Sequence, residues 1–139
     1  MIWTMNVKLL FGPFAAGPWE AIIALDETST LAVLHHVIQQ AVDFDEDHLF
    51  EFFIARTEHG RERTRFDEED DALFTRTLAS FFPLPKQRRL YYLFDYGDSW
   101  LFQISRTRAK PFEAEPGVSY PRLISEKGTK PPQYPEEDL

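Results

Sequence analysis

The stretch Leu90 to Ser105, LYYLFDYGDSWLFQIS, limits what this chain can fold into more than any other. Two aromatic runs flank Tyr96-Gly97-Asp98-Ser99. Side chains alternate along a strand, so Tyr91, Leu93 and Asp95 share one face of the first run and Tyr92, Phe94 and Tyr96 the other. Past the turn, Trp100, Phe102 and Ile104 make an apolar face opposite Leu101, Gln103 and Ser105. Gly97 tolerates positive φ, and Asp98 and Ser99 can bond the local backbone. The pattern predicts a hairpin, and its aromatic and β-branched content predicts an interior place in a sheet.

Two carboxylates, Asp95 and Asp98, sit three residues apart in this turn, beside Tyr96 and Trp100. One reading makes Asp98 a turn cap and Asp95 a partner for an arginine or a backbone amide. The other makes both ligand contacts at the rim of a cleft. Acid–base work by such a pair requires environments that separate their pKa values.

The rest of the chain supplies partners for this hairpin. Trp3, Met5, Val7, Leu9 and Phe11 alternate with polar residues, predicting a strand with these five side chains on its buried face. Gly12 to Pro18 breaks it with two glycines and two prolines. Trp19, Ala21, Ile23 and Leu25 predict a second strand, antiparallel to the first. Thr28, Ser29 and Thr30 offer N-cap hydroxyls for a helix running to about Val42. Leu31, Leu34, Ile38, Ala41 and Val42 cluster on one side of that helix. His35 projects onto the same stripe, whereas His36, Gln39 and Gln40 are read as pointing elsewhere. A histidine so placed either packs its ring and bonds a backbone carbonyl, or faces a ligand.

Asp43 to His48, DFDEDH, resembles a calcium loop but lacks the sixth-position glycine and the twelfth-position glutamate, where His48 and Ile54 stand. It reads as an exposed acidic turn, with room for a weakly held cation. Leu49 to Arg56 predicts a third strand with Phe50, Phe52 and Ile54 inward. Thr57 to Arg65 reads as a polar connection turning at His59-Gly60. Residues 72–82, ALFTRTLASFF, predict one short helix burying Leu73, Phe74, Leu78, Phe81 and Phe82, ended by Pro83 and Pro85. From Lys110 onward, a Pro-rich charged tail is expected to wrap over the surface or dangle.

The element order predicts an α+β domain: a mixed or antiparallel sheet packed by one main helix and a short second helix, as in a β-grasp-like roll. At 139 residues, with thirteen Phe, five Tyr and three Trp, one domain spanning 1–139 can bury a bulky core. The chain has no cysteine, which removes disulfides, thiolate metal sites and cysteine nucleophiles. No apolar run approaches a membrane span, and MIWTMNVK alternates unlike a signal peptide, so a cytoplasmic protein is expected. Net charge is −8, with 15 basic against 23 acidic residues, which disfavours nucleic acid without forbidding it. Acid runs lie at Asp43–Asp47, Asp67–Asp71 and Glu136–Asp138, and basic ones at Arg56–Arg65, Lys86–Arg89 and Arg106–Lys110.

Three stretches together resemble the plasmid pRiA4b ORF-3-like proteins, some of them labelled insertion-element passenger proteins. They are Thr30 to Phe52, Phe94 to Trp100 (FDYGDSW) and Tyr120 to Pro132 (YPRLISEKGTKPP). Leu31, Leu34, His35, Ile38, Gln39, His48, Leu49 and Phe52 match the helix-and-strand motif. Asp95, Gly97, Asp98 and Trp100 match the hairpin motif, and Tyr120, Pro121, Pro131 and Pro132 the tail. The resemblance implies an MM3350-like fold, no established enzymatic activity, and a link with mobile elements. Leu123 and Lys130 stand where many relatives carry tail cysteines. Gln133-Tyr134 replaces an acidic pair, a following glycine pair is missing, and Phe50 replaces a second histidine. These departures weigh against a metal or redox role for the tail.

The functional expectation is a non-enzymatic interaction or ligand-binding module. Its candidate binding residues are His35, His48, Asp95, Tyr96, Gly97, Asp98, Trp100 and Tyr120. No catalytic residue, metal or cofactor is assigned, and the partner expected is a protein or small ligand, with no membrane. Two alternatives stand beside it. One is a hydrolase using His35 or His48 with Asp95 or Asp98. The other is a nucleic-acid accessory protein using Arg61, Arg63, Arg65, Arg88 and Arg89.

Overall fold

The computed structural model of the chain describes residues 1–135, so the acid run Glu136–Asp138 lies outside the described residues. Seven strands and three helices follow in the order β1 (Ile2–Phe11), β2 (Trp19–Asp26), α1 (Leu31–Val42), β3 (Phe50–Ala55), β4 (Thr64–Asp67), α2 (Asp71–Thr75), α3 (Leu78–Phe81), β5 (Arg89–Phe94), β6 (Trp100–Arg106) and β7 (Arg122–Gly128). They form one sheet in the order β4-β3-β5-β6-β1-β2-β7, with every pairing antiparallel. The aromatic hairpin is its middle. β6 is the central strand, and Phe94 pairs with Trp100 across the turn.

Alternation delivers one continuous apolar face. Met5, Val7, Trp19, Ile23, Phe52, Tyr92, Phe94, Trp100 and Phe102 all pack into the core that also takes Leu31, Leu34, Ile38 and Val42 of α1. The helix therefore bridges the chain's passage from β2, near one edge, to β3, near the other. Thr30 caps it, its hydroxyl accepting from the Val33 amide at 3.4 Å. At the other end Asp43 turns left-handed at φ 63°. The Phe44 amide reaches the Gln39 carbonyl and the Asp43 amide reaches that of Gln40. These are the paired bonds that close a Schellman C-terminus. Phe44, next in line, then drops onto Trp100 with ring centroids 4.9 Å apart.

Several expectations change. Phe11 is exposed, because β1 carries an extra residue between Leu9 and Phe11 against β6, and a one-residue slip reverses every later side chain. Thr64–Asp67, which straddles the end of the polar connection Thr57–Arg65 and the start of the acid run Asp67–Asp71, is edge strand β4 paired with β3; with only Phe66 buried, it has no periodicity to read. In β3, Glu51 and Phe53 are buried besides Phe50 and Phe52, while Ile54 is only partly covered. The single helix expected over 72–82 is two, leaving Phe74 exposed. The break follows from hydrogen bonding: the Leu78 and Ala79 amides go to the Ser29 and Glu27 carbonyls instead of the preceding turn. Of the two courses expected for the tail, its described residues take the first, and beyond lying on the surface they join the sheet. Residues Arg122–Gly128 add edge strand β7 to β2, with the Trp19 indole donating to Glu126 at 2.7 Å.

No helix among the described residues is long and apolar enough to cross a membrane. Gly12 lies against the Trp100 ring so closely that an added Cβ would stand 2.0 Å from it. Gly12→Ala is therefore expected to destabilise the fold by roughly 1–3 kcal/mol through overpacking. Urea unfolding would show it as a lowered midpoint, and an unchanged midpoint would mean that Trp100 is not seated beneath Gly12.

Candidate functional site

The bend of the β5–β6 hairpin closes differently from its sequence signals. Asp95 and Ser99 take the left-handed backbone, at φ 63° and 58°, and Gly97 does not. Asp95 is the cap: its Oδ1 accepts from the Gly97 and Asp98 amides at 3.1 and 3.2 Å. Asp residues tolerate left-handed φ because the short carboxylate can bond the backbone just ahead. Gly97 matters through space, since a Cβ there would come within 3.3 Å of that same carboxylate oxygen. Asp98 makes no side-chain hydrogen bond among the described residues. Trp100 is completely buried, so it is a core residue and not a rim contact. Tyr96 is exposed but turns its hydroxyl back to the Phe50 carbonyl at 3.2 Å.

The two histidines converge. His35, on the buried face of α1, stacks on Phe50 with centroids 3.6 Å apart and planes 5° from parallel. Its Nδ1 lies 2.5 Å from the Tyr92 hydroxyl, a side chain and not the backbone carbonyl expected. Gln39, four residues on and so on the same helix face, is buried rather than pointing away, and its amide donates to that hydroxyl at 2.9 Å. The Gln39 carbonyl oxygen accepts from the Glu46 amide at 3.0 Å. Burial first, and the neighbouring His36 second, lower His35 from 6.5 to about 4. Burial likewise pushes the Tyr92 phenol well above its ordinary value.

His48 closes the other side. Its Nε2 lies 3.1 Å from the Tyr134 hydroxyl, 3.4 Å from Asp95 Oδ2 and 3.7 Å from Asp47 Oδ1. Tyr134 in turn donates to Asp47, and that bond draws the Asp47 carboxyl down and the Tyr134 phenol up to about 12. Gln133 donates to Asp47 at 2.7 Å and accepts from the Asp45 amide at 2.7 Å. Gln133 and Tyr134 thus pin the acidic loop to the last described residues.

His35 and His48 both line a hollow of about 250 Å³, together with His36, Glu46, Glu68 and Phe74, over a floor of Phe50. Asp95 touches His48 from outside it. Asp98 and Tyr120 are not among its lining residues; Tyr120 packs instead on Phe112. Sequence reasoning missed His36, Glu46, Glu68, Gln133 and Tyr134. The available signals were the adjacency of His36 to His35 and, for Glu46, the acidic turn Asp43–His48 with its room for a cation. Larger hollows of about 330, 380 and 320 Å³ lie elsewhere, and none gathers as many titratable side chains of complementary kind.

The depressed His35 fixes a pH dependence. Between about pH 4 and 6.5 the unfolded chain binds a proton at this residue that the folded chain refuses, so the stability it confers is present above 6.5 and fades as pH falls toward 4. His35→Asn should flatten that acid limb in urea midpoints measured from pH 7 to 4.5. Parallel curves for the two proteins would show that His35 is not the group responsible.

A model of the plasmid pRiA4b ORF-3-like proteins matches residues 20–136, beginning earlier than the Thr30 at which the motifs start. None of the curated proteins matches the chain. Among solved structures, a protein of unknown function from Methanosarcina mazei Go1, MM3350, is similar with a TM-score of 0.71 at 22% identity. The alignment covers 90% of this chain and 68% of that one, and at this identity the likeness concerns the fold. With the match running through the helix, the hairpin and the tail strand that surround the hollow, the chain belongs to the plasmid pRiA4b ORF-3-like protein family.

Proposed function

We propose that this chain is a single-domain, cytoplasmic, non-enzymatic binding module whose ligand enters the hollow between α1 and the loop Asp43–His48. The observation that carries the reading is convergence. His35, His36 and His48 come together with Glu46 and Glu68 over an aromatic floor, in a space of about 250 Å³ suited to a small group. Two carboxylates beside the histidines favour a cationic or donor-rich head. Phe74, exposed at the rim, offers an apolar surface for the remainder of such a ligand. The β1-β2-α1 opening, with the helix laid on the sheet, supports describing the architecture as a β-grasp-like roll.

One contact favours the hydrolase reading: His48 Nε2 and Asp95 Oδ2 are 3.4 Å apart, within ion-pair distance though longer than the hydrogen bond a base and its orienting acid form. Against it, no Ser or Thr lines the hollow and the chain has no Cys, so it holds no hydroxyl or thiol nucleophile. The nucleic-acid reading loses two of its five arginines to internal work. Arg65 clamps the buried Glu51 at 2.7 and 2.9 Å, and Arg63 stacks 4.0 Å over Phe53.

The reading is tested by titrating the isotopically labelled chain with small primary amines and guanidinium compounds in the presence of a chelator. Amide shifts should concentrate on Ala32, His35, His36, Glu46, His48, Glu68 and Phe74, and weaken in Phe74→Ala. Shifts gathered at the apolar hollow of Phe53 and Leu101, or none at millimolar ligand, would remove it.

A further inference from the structure

We infer that His35, His36 and Glu46 form a binding site for one borderline divalent transition-metal cation of the Zn2+ type. The inference rests on the reading that the hollow takes a ligand, and it names a ligand class for that hollow. One donor atom from each of the three residues lies within 4.8 Å of the others, and His36 Nδ1 is already 2.8 Å from Glu46 Oε2. Donors held about 2.0–2.2 Å from a common zinc ion stand about 3.3–3.6 Å apart, so the set draws together while the His36–Glu46 pair opens slightly. His36 and Glu46 are solvent-exposed and free to make that adjustment, while His35 is held.

His35 is built as a fixed ligand. It is 6% exposed, clamped flat on Phe50, and Tyr92 occupies its Nδ1. That leaves Nε2, which has no hydrogen-bond partner among the described residues, as the nitrogen available in the hollow. Metal-bound histidines characteristically give their second ring N–H to a supporting group, and with the metal on Nε2 the Tyr92 oxygen receives the Nδ1 proton.

The same support reaches Glu46. Gln39 bonds Tyr92 through its amide nitrogen and the Glu46 backbone through its oxygen, so one side chain positions two ligands. Glu46 itself is held at φ 54°, a conformation glutamate seldom adopts, which turns it back toward α1. His48 and Glu68 line the same hollow. Two imidazoles and one carboxylate select a Zn2+-like ion over Mg2+ or Ca2+, which prefer all-oxygen shells. The site is unrelated to a calcium loop. Glu46 belongs to the stretch Asp43–His48, but the helix supplies the nitrogen ligands.

The test uses the full chain, freed of metal with chelator and dialysed, then titrated with Co2+ followed by Zn2+. The expected result is one equivalent of Co2+ with a visible ligand-field spectrum, displaced by Zn2+. Calorimetry with Zn2+ should show affinity falling about 10-fold or more in His36→Ala and in Glu46→Gln, and about 10–100-fold in Tyr92→Phe, which removes only the supporting hydroxyl. His59→Ala, in the separate hollow near Phe53, should leave binding unchanged. His36 and Glu46 are exposed, so circular dichroism and urea midpoints of their variants should match the parent. Absence of a cobalt spectrum, intact affinity in His36→Ala and Glu46→Gln, or an equal loss in His59→Ala would each overturn the site. Amine-induced shifts at the hollow under chelator, together with no cobalt spectrum once the chelator is removed, would overturn this inference and leave the binding module standing. Metal binding without amine shifts would uphold the site and remove only the amine-type ligand.

Discussion

One phenol organises the interface between helix and sheet. Tyr92 sits on the middle strands with no exposed surface, and a hydroxyl buried there must be hydrogen-bonded or cost the full desolvation of the group. Both of its partners, His35 and Gln39, come from α1, one helical turn apart. The helix can therefore neither slide nor rotate on the sheet without stranding that oxygen. Apolar packing drives α1 onto the sheet, since Leu31, Leu34, Ile38 and Val42 are all buried, but it is non-directional. The polar contact supplies the register.

From that register the surroundings follow. Gln39 carries the constraint to Glu46 and so shapes the loop leaving the helix. Phe44, released by the left-handed Asp43, falls between Phe94 and Trp100 and ties the same loop to the hairpin. Leu49 accepts from the Asp95 amide, bringing the capped bend against the start of β3. The end of the described chain completes the enclosure as Gln133 and Tyr134 bind Asp47. The hollow is a consequence of these ties: it is the space left where helix, loop and hairpin are each fixed to the others.

How much of this is readable in advance differs from element to element. The hairpin, β1, β2 and α1 all bury one face against a common core, so their periodicity shows directly in the residue pattern. β4 and β7 are edge strands with little or nothing buried, formed because β3 and β2 offer unpaired backbone, and such pairing leaves no mark on side-chain chemistry. The split at Arg76-Thr77 has the same origin, being a competition for backbone hydrogen bonds won by a segment nearly fifty residues earlier. For the site, His35, His48 and Asp95 could be singled out from sequence, and two of them line one hollow. Asp98 and Trp100 could not be sorted from them, because turn geometry and ring burial are set by Gly12, Phe14 and Phe44.

The residues alone determine an α+β chain with an aromatic hairpin at its centre, an N-capped amphipathic helix and no thiol chemistry, since each of these depends on local spacing or on composition. Only the tertiary structure decides that His36 and Glu46, ten positions apart, meet at 2.8 Å, and that Tyr134 reaches Asp47 and His48 across more than eighty residues. It decides too that Glu51 takes Arg65 into the far face of the sheet. Those pairings are products of which strands lie side by side, and strand order is fixed by the balance of buried surface over the whole sheet rather than by any segment within it.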